Sequence, residues 1–171
     1  AAEELGADAV LLSTLDDTAW SFNIRGCDIP YNPVSVAYGY ISRREDVLFI
    51  DKCKTDADLQ EYLRRNGITA KPYSAIEEYL QTLPDGERVV ADPDRTNHRL
   101  AAILAERGAA VFAASPAMLM KSIKNDTEND GIRNAARRDG AAMCRFLCWL
   151  DETVGKEPLS ETSVSRKLHE F

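Results

Sequence analysis

Residues 87–116, with the sequence ERVVADPDRTNHRLAAILAERGAAVFAASP, decide the class of fold. Two short runs, ERVVAD and AAVFAA, have the length and apolar character of buried strands. Between them, RTNHRLAAILAER carries apolar residues at helical spacing, and Gly108 is placed to end that helix. A strand, a helix and a second strand in this order are typical of a crossover unit. The stretch therefore predicts an α/β layer structure.

The residues before this stretch extend the pattern. DAVLLST, at 8–14, is a nearly continuous apolar run and predicts a strand that is buried on both faces. SVAYGYIS and DVLFID, at 35–42 and 46–51, flank a polar RRE turn and predict an antiparallel hairpin. ITAKPY, at 68–73, predicts a weak strand near a sheet edge because it contains Pro72. The predicted fold is α/β, with a mixed β-sheet flanked by helices.

Residues that commonly start helices precede each predicted helix. The expected starts are Asp16 or Asp17, the Thr55–Asp58 and Ser74–Glu77 capping boxes, Asp94 or Thr96, Pro116 as a first helical residue, and Asn125 with Glu128. The last of these begins a long predicted helix, 126–153, with an apolar stripe. Its stripe residues are Ile132, Ala136, Met143, Leu147 and Leu150. A second amphipathic segment follows at 163–171, and its exposed apolar side suggests that the sequence is part of a longer protein.

Composition excludes several classes of protein. The chain has 171 residues, of which 44% are hydrophobic and 29% charged, and a formal net charge of −7. Such a chain can form a real core, and its acidity disfavours general binding to nucleic acid. It has no apolar run long enough for a membrane helix, and AAEELGADAV at the start does not resemble a signal peptide. We therefore expect a cytoplasmic location, with no nucleic-acid or membrane partner.

Cysteine and histidine offer little for a metal site. Cys27, Cys53, Cys144 and Cys148 are too scattered for a disulfide framework or a zinc site, so buried thiols in a reducing compartment are expected. Asp92, Asp94 and His98 form the one local cluster that could bind a metal. A turn at Asp92-Pro93, followed by a helix cap, explains the same residues better. His169 lies far from this cluster in the sequence.

Three stretches in order resemble the cytosolic Xaa-Pro aminopeptidases of the creatinase/prolidase family, a group of metallopeptidases. They are LDDTAWSFNIRGCDIPYNPVSVAYGYIS at 15–42, KSIKNDTENDGIRNAARRDGAAMCRFLCWLDE at 121–152 and LSETSVSRKLHEF at 159–171. A single short piece such as NDTE would be weak evidence, but three long pieces in the same order are strong. The resemblance spans nearly the whole chain.

The resemblance implies a domain organisation. Residues 1–122 look like the middle, creatinase-N-like domain, and 123–171 look like the opening helices of a truncated pita-bread catalytic domain. It implies a parent enzyme that removes an N-terminal residue preceding proline from a peptide and works as a homodimer. Two divalent ions, usually manganese in the family, would activate its water. No residue of this chain matches the family's metal ligands or proton-shuttling histidines. We therefore expect no bound metal and no activity from this chain alone.

Two residues near the expected mouth of the parent's active site are candidates for positioning substrate. Trp20 could offer a flat apolar wall to a peptide, and Arg25 could donate to a peptide carbonyl or carboxylate. The simpler alternatives are that Trp20 fills the core beside its helix and Arg25 fixes the NIRG loop. Because 23–33 form an irregular loop of unusual length, a functional role for the loop is expected.

A different class of function is also open. The peptidase-like domain in the large subunit of the FACT histone chaperone shows that this fold can persist as a binding surface without catalysis. The chain could therefore be a peptidase-like interaction module. An unrelated ligand-binding α/β domain is disfavoured, because no glycine-rich phosphate loop follows any predicted strand.

Overall fold

The computed structural model describes all 171 residues, Ala1–Phe171. They form two compact units, Ala1–Ile123 and Lys124–Phe171. None of the helices in either unit combines the length and the apolar character that crossing a bilayer would need.

The first unit contains a six-stranded mixed sheet in the order β4-β3-β2-β1-β5-β6. β1 and β2, and β2 and β3, are antiparallel, whereas the pairs β3–β4, β1–β5 and β5–β6 are parallel. The predicted hairpin and crossover units are thus confirmed, with β4 at a sheet edge as its proline indicated. The strands are β1 Ala9–Leu12, β2 Ala37–Ser42, β3 Asp46–Ile50, β4 Ile68–Lys71, β5 Val89–Ala91 and β6 Ala110–Phe112.

Five helices cover the two faces of this sheet, because alternate strand residues point to opposite sides. Leu11 belongs to a buried cluster with Leu80 and Leu104, which come from α3 and α4. Leu12 belongs to a second cluster with residues of α2 and α5 and with Phe22, which follows α1. The result is a three-layer α/β/α unit. The helices are α1 Leu15–Ser21, α2 Ala57–Arg65, α3 Ile76–Gln81, α4 His98–Glu106 and α5 Pro116–Ser122.

Several predicted helix caps are wrong by one or two residues. Thr14, not Asp16 or Asp17, precedes α1, and its side chain makes no capping bond. Asp56 caps α2 by accepting from the amide of Leu59 at 2.8 Å, in place of the Thr55–Asp58 box. A 3₁₀ turn, Tyr73–Ala75, leads into α3 and replaces the Ser74–Glu77 box. Asn97, rather than Asp94 or Thr96, caps α4. A cap needs extended backbone as well as a suitable oxygen, and Asp56 and Asn97 have both.

The second unit is a pair of helices, α6 Asp126–Thr153 and α7 Glu161–His169. Asn125 and Glu128 form a complete capping box at the start of α6, as predicted. Phe146 is the buried centre of this unit and packs beside Trp149, with ring centroids 5.9 Å apart. The predicted apolar stripe is largely exposed, as Ile132, Met143 and Leu147 illustrate.

The prediction of buried thiols is wrong. All four cysteines are exposed and free. Cys144 and Cys148 lie on exposed positions of α6, Cys27 lies in the loop before β2, and Cys53 lies in a short 3₁₀ helix.

Candidate functional site

The candidate site centres on α1 and the loop that follows it, because both candidate positioning residues lie there. β1 ends at Leu12, α1 occupies Leu15–Ser21, and an irregular path leads from Phe22 to β2. This loop is well connected internally. The amide of Gly26 donates to the carbonyl of Pro33 at 3.4 Å, and the amide of Asp28 donates to the carbonyl of Val34 at 3.3 Å.

The guanidinium of Arg25 donates hydrogen bonds to the protein's own backbone. Its Nη1 donates to the carbonyl of Ala19 at 3.0 Å and to the carbonyl of Ile24 at 2.9 Å. Ala19 lies in the last turn of α1, where carbonyl groups lack partners within the helix and favour a positive charge. The contacts that Arg25 makes are therefore those of a residue that fixes the NIRG loop to the end of α1.

Asp28 holds the other end of the loop. Its Oδ2 accepts from Nζ of Lys54 at 2.6 Å and from the amide of Val36 at 2.6 Å. The bond from Lys54, helped by the backbone donor of Val36, lowers the pKa of Asp28 below its ordinary value. The loop is thus attached to the segment between β3 and α2.

Two further features of the loop are the close packing at Gly26 and the uncommon backbone conformation of Tyr31. A Cβ atom on Gly26 would lie 1.9 Å from Oγ of Ser35, so any larger residue at this position requires Ser35 to move. Tyr31 has a positive φ of 63°, which is uncommon for a residue with a side chain. Its ring is 90% exposed at the tip of the loop.

Trp20 lies in a different environment from Arg25. It is partly buried and lines an open, mainly apolar groove of about 530 Å³. Val10 and Leu12 of β1 and Ala117 and Met120 of α5 also line this groove. Trp20 and Arg25 are therefore close in the sequence but have separate surroundings in the structure.

An ionic cluster includes two acidic residues of α1, of which Asp17 is buried and Asp16 is exposed. Nζ of Lys121, in α5, is 2.5 Å from Oδ1 of Asp17 and also pairs with Asp16. Nη1 of Arg95 is 3.8 Å from Oδ2 of Asp17, and Nε of Arg95 is 3.9 Å from Oδ2 of Asp92. The cluster connects α1 to the residues that follow β5 and to α5.

The charges in this cluster support each other. Burial alone would raise the pKa of Asp16, but the hydrogen bond and charge of Lys121 outweigh burial and lower it. Burial alone would likewise lower the pKa of Lys121, but the two carboxylates outweigh burial and raise it. Asp16 and Lys121 therefore stay ionised near neutral pH and pair with each other.

The residues of this chain do not fit a metal centre. No group of three or more His, Cys, Asp and Glu side chains is placed to hold an ion. Asp92 accepts from the amide of Asp94 at 3.0 Å through Oδ1 and from the amide of Ser115 at 2.8 Å through Oδ2. Its carboxylate therefore organises two loops, in agreement with the turn that the sequence indicated. His98 begins α4.

Sequence reasoning missed the ionic cluster. Its members come from three separate parts of the chain, and Asp16 and Lys121 are 105 positions apart. Asp16 and Asp17 were predicted as helix caps, because acidic residues commonly start helices. A single sequence carries no signal that would pair them with Lys121.

Comparison with known proteins adds to this geometry. The sequence signature described as the Creatinase/Prolidase N-terminal domain matches residues 1–128. A probable Xaa-Pro aminopeptidase P of Pyricularia oryzae is 35% identical, with 92% of this chain and 28% of that protein covered. An Xaa-Pro aminopeptidase of Caenorhabditis elegans is 33% identical, with 86% of this chain and 25% of that protein covered. The chain thus spans about a quarter of the length of these relatives.

Solved structures agree with the sequence comparison. An X-prolyl aminopeptidase from Caenorhabditis elegans, described as a cytosolic enzyme with a di-nuclear active site, matches with a TM-score of 0.87 at 30% identity. The match covers 98% of this chain and 28% of that structure. An Xaa-Pro dipeptidase from Bacillus anthracis matches with a TM-score of 0.67 at 20% identity and shares the fold.

Proposed function

The chain belongs to the creatinase/prolidase N-terminal domain family, and we propose that it is a non-catalytic part of a metal-dependent Xaa-Pro aminopeptidase. The intact enzyme hydrolyses the bond between an N-terminal residue and a following proline. One observation carries the proposal: the likeness to the aminopeptidase structure covers 98% of the chain and so includes both compact units.

In this proposal the two units belong to different domains of the same parent enzyme. Residues 1–122 are the middle domain of the enzyme, and 123–171 are the opening helices of its pita-bread catalytic domain. The first assignment is supported by the family signature over residues 1–128. The second is supported by the similarity that continues beyond that signature to the long helix α6.

We infer that the metal ions of the parent are held by residues outside this chain, which is supported by the lack of any group of three or more His, Cys, Asp and Glu side chains placed to hold an ion. We infer two divalent ions, with manganese as the expected metal, a homodimeric enzyme and a cytoplasmic location. Peptides with proline at the second position are the substrates. Nucleic acid and membranes are not partners in this proposal.

The role of Trp20 and Arg25 in the parent is to shape the approach to the active site. Arg25 does so through the backbone, because its guanidinium bonds to the carbonyls of Ala19 and Ile24 and holds the loop. Trp20 would do so through its partly buried ring, and the alternative is that this ring packs against a neighbouring segment of the protein. Substitution of Arg25 should therefore alter the shape of the loop and so change the KM of the intact enzyme for its peptide substrate.

The test is to extend the reading frame beyond Phe171 and compare two purified proteins. We expect the extended protein to release the first residue from a tripeptide with proline second, in the presence of manganese, and to lose this activity with a chelator. The 171-residue chain should be inactive under both conditions. A reading frame that ends at Phe171, or that continues without two aspartates, one histidine and two glutamates to hold the metals, would favour a peptidase-like interaction module instead.

A further inference from the structure

The first residues of the chain have the geometry of a helix end. Ala2 is right-handed helical, with φ −59° and ψ −41°, and Gly6 is left-handed, with φ 68° and ψ 35°. The amide of Ala7 donates to the carbonyl of Ala2 at 3.0 Å, and the amide of Gly6 donates to the carbonyl of Glu3 at 2.9 Å. Two such nested bonds around a left-handed glycine form the Schellman motif, which ends α-helices.

The helical part before this motif is short. It consists of a single 3₁₀ turn, Glu3–Leu5, preceded by Ala2 in helical conformation. One turn fixes several backbone dihedrals for very few hydrogen bonds, so it is not stable alone in water. The apolar contact that accompanies a Schellman motif is nevertheless present, because Ala7 is buried and Ala2 packs against the same core cluster. The turn is anchored to the unit as the last turn of a longer helix would be.

The apolar groove beside Trp20 begins at this turn. Ala1 and Ala2 line the groove together with Trp20, Ile41 and Met120. Its volume of about 530 Å³ gives room for several large side chains. The groove leaves part of one sheet face uncovered, whereas the structured layers of an α/β domain normally bury their apolar faces. Because Ala1 and Ala2 line the groove, a helix that ends in this turn lies beside the opening.

We propose that this groove seats an amphipathic helix that immediately precedes Ala1 in the full protein and ends in the Ala1–Gly6 Schellman motif. The helix places apolar side chains at spacings of three and four residues into the groove, which is the usual manner of helix-in-groove packing. Its polar face stays outside, near the ion pair of Glu3 with Arg43 at the rim. Trp20 is then a packing residue of this helix, and the proposal does not depend on peptidase activity.

The experiment measures how well the ring of Trp20 is covered. The chain has two tryptophans, so Trp149→Phe leaves Trp20 as the only reporter. Two proteins are compared: the present chain, and a chain that begins about 20 residues upstream in its gene, which is about 30 Å of helix. We expect a several-fold smaller quenching constant for acrylamide in the longer protein, together with emission at shorter wavelength. Unchanged quenching would overturn the proposal, as would an upstream sequence without apolar residues at helical spacing.

Two neighbouring residues of α5 give a matched control. Met120 lines the groove and is 53% exposed, whereas Leu119 is 68% exposed and does not line it. Met120→Glu places a charge in the groove and should restore quenching in the longer protein, but Leu119→Glu should leave Trp20 protected. Both positions are exposed, so neither variant should unfold the protein, and circular dichroism checks this. An equal effect of the two substitutions would contradict the proposal.

Discussion

Lys121 and Asp17 form a nearly enclosed ion pair, with Nζ of the lysine 2.5 Å from Oδ1 of the aspartate. The side chain of Asp17 is 2% exposed and that of Lys121 is 19% exposed. Solvent therefore cannot replace the lysine if it is removed. Arg95, at 3.8 Å from Oδ2, is too distant to be a full substitute.

Removal of Lys121 should consequently destabilise the protein strongly. We expect Lys121→Met to lower the free energy of unfolding by about 3–5 kcal/mol, because it leaves a buried carboxylate without its main partner. The double variant Asp17→Asn with Lys121→Met should lose less than the sum of the two single variants. Urea unfolding of each variant in a Trp149→Phe background, followed by the fluorescence of Trp20, measures each value. A loss below about 1 kcal/mol would mean that the pair behaves like a surface salt bridge.

The pair of Asp28 and Lys54 should produce stability that depends on pH. Because the folded protein lowers the pKa of Asp28 below its ordinary 3.8, the stabilisation is complete above that value and disappears as pH falls through the lowered pKa. We expect Asp28→Asn to lower the Tm at about pH 6 and to have little effect at about pH 2. Asp139→Asn, at an exposed position of α6, is the control and should show no comparable difference between the two pH values. A constant effect of Asp28→Asn across the range would count against the ion pair.

Gly26 and Gly131 should respond in opposite directions to alanine. A Cβ on Gly26 would meet Oγ of Ser35 at 1.9 Å and the carbonyl of Val34 at 3.1 Å, whereas one on Gly131 meets nothing within 4 Å. We expect Gly26→Ala to destabilise by about 1–3 kcal/mol through overpacking. Gly131→Ala, inside α6, should stabilise by about 0.5–1 kcal/mol. Thermal unfolding of both variants measures the contrast, and a neutral Gly26→Ala would show that the loop adapts.

The hydroxyl of Tyr40 should contribute to stability even though it is far from the candidate site. This fully buried tyrosine donates to Oε1 of Glu87, and Oε2 of Glu87 accepts from Arg44 at 3.2 Å. Burial, together with the carboxylate of Glu87, raises the pKa of Tyr40. We expect Tyr40→Phe to cost about 1–2 kcal/mol, because Glu87 loses a donor in a place with little water. Chemical unfolding tests this expectation, and an unchanged midpoint would show that Arg44 alone satisfies Glu87.

Tyrosine titration provides a further check on the same region. Burial, then the neighbouring Tyr73, raises the pKa of Tyr38 to about 12, and burial also raises the pKa of Tyr79. Stability that comes from these neutral phenols is complete below their ordinary pKa and is lost as pH rises through the raised values. We expect ultraviolet titration of Tyr38→Phe to lack the group that ionises near pH 12. If the spectra of the parent protein and of Tyr38→Phe instead differed near pH 10, Tyr38 would have the ordinary pKa of a tyrosine and the prediction would be wrong.

Periodic features of the sequence predicted the layers of the fold well. The hairpin, the crossover units and the start of α6 depend on local apolar spacing and on capping residues that act within a few positions. The caps of α2 and α4 were missed by one residue, because neighbouring Asp56 and Asn97 have the same chemistry as the predicted residues. The exposed cysteines of α6 were missed because helical spacing alone does not show how many layers cover a helix.

The candidate site was harder to predict for a different reason. Arg25 was recognised from its motif, and one of its two expected roles, the fixing of the loop, matches its contacts. The ionic partners of Asp17 and the groove beside Trp20 arise where α1 meets α5, and these helices are separated by most of the first unit. Contacts between such distant segments depend on the arrangement of the sheet, which local patterns do not contain.

The parallel pairing of β1 with β5 has a consequence for the order of folding. Ala9 lies opposite Val89, 80 positions later, whereas Ala9 and Ser42 are only 33 positions apart. Closing the longer loop has the larger entropic barrier, and non-local pairing slows folding in general. The three antiparallel strands should therefore assemble first and present β1 as a template, on which β5 and then β6 dock. In a refolding experiment, amide protons of β2 and β3 should gain protection before those of β5.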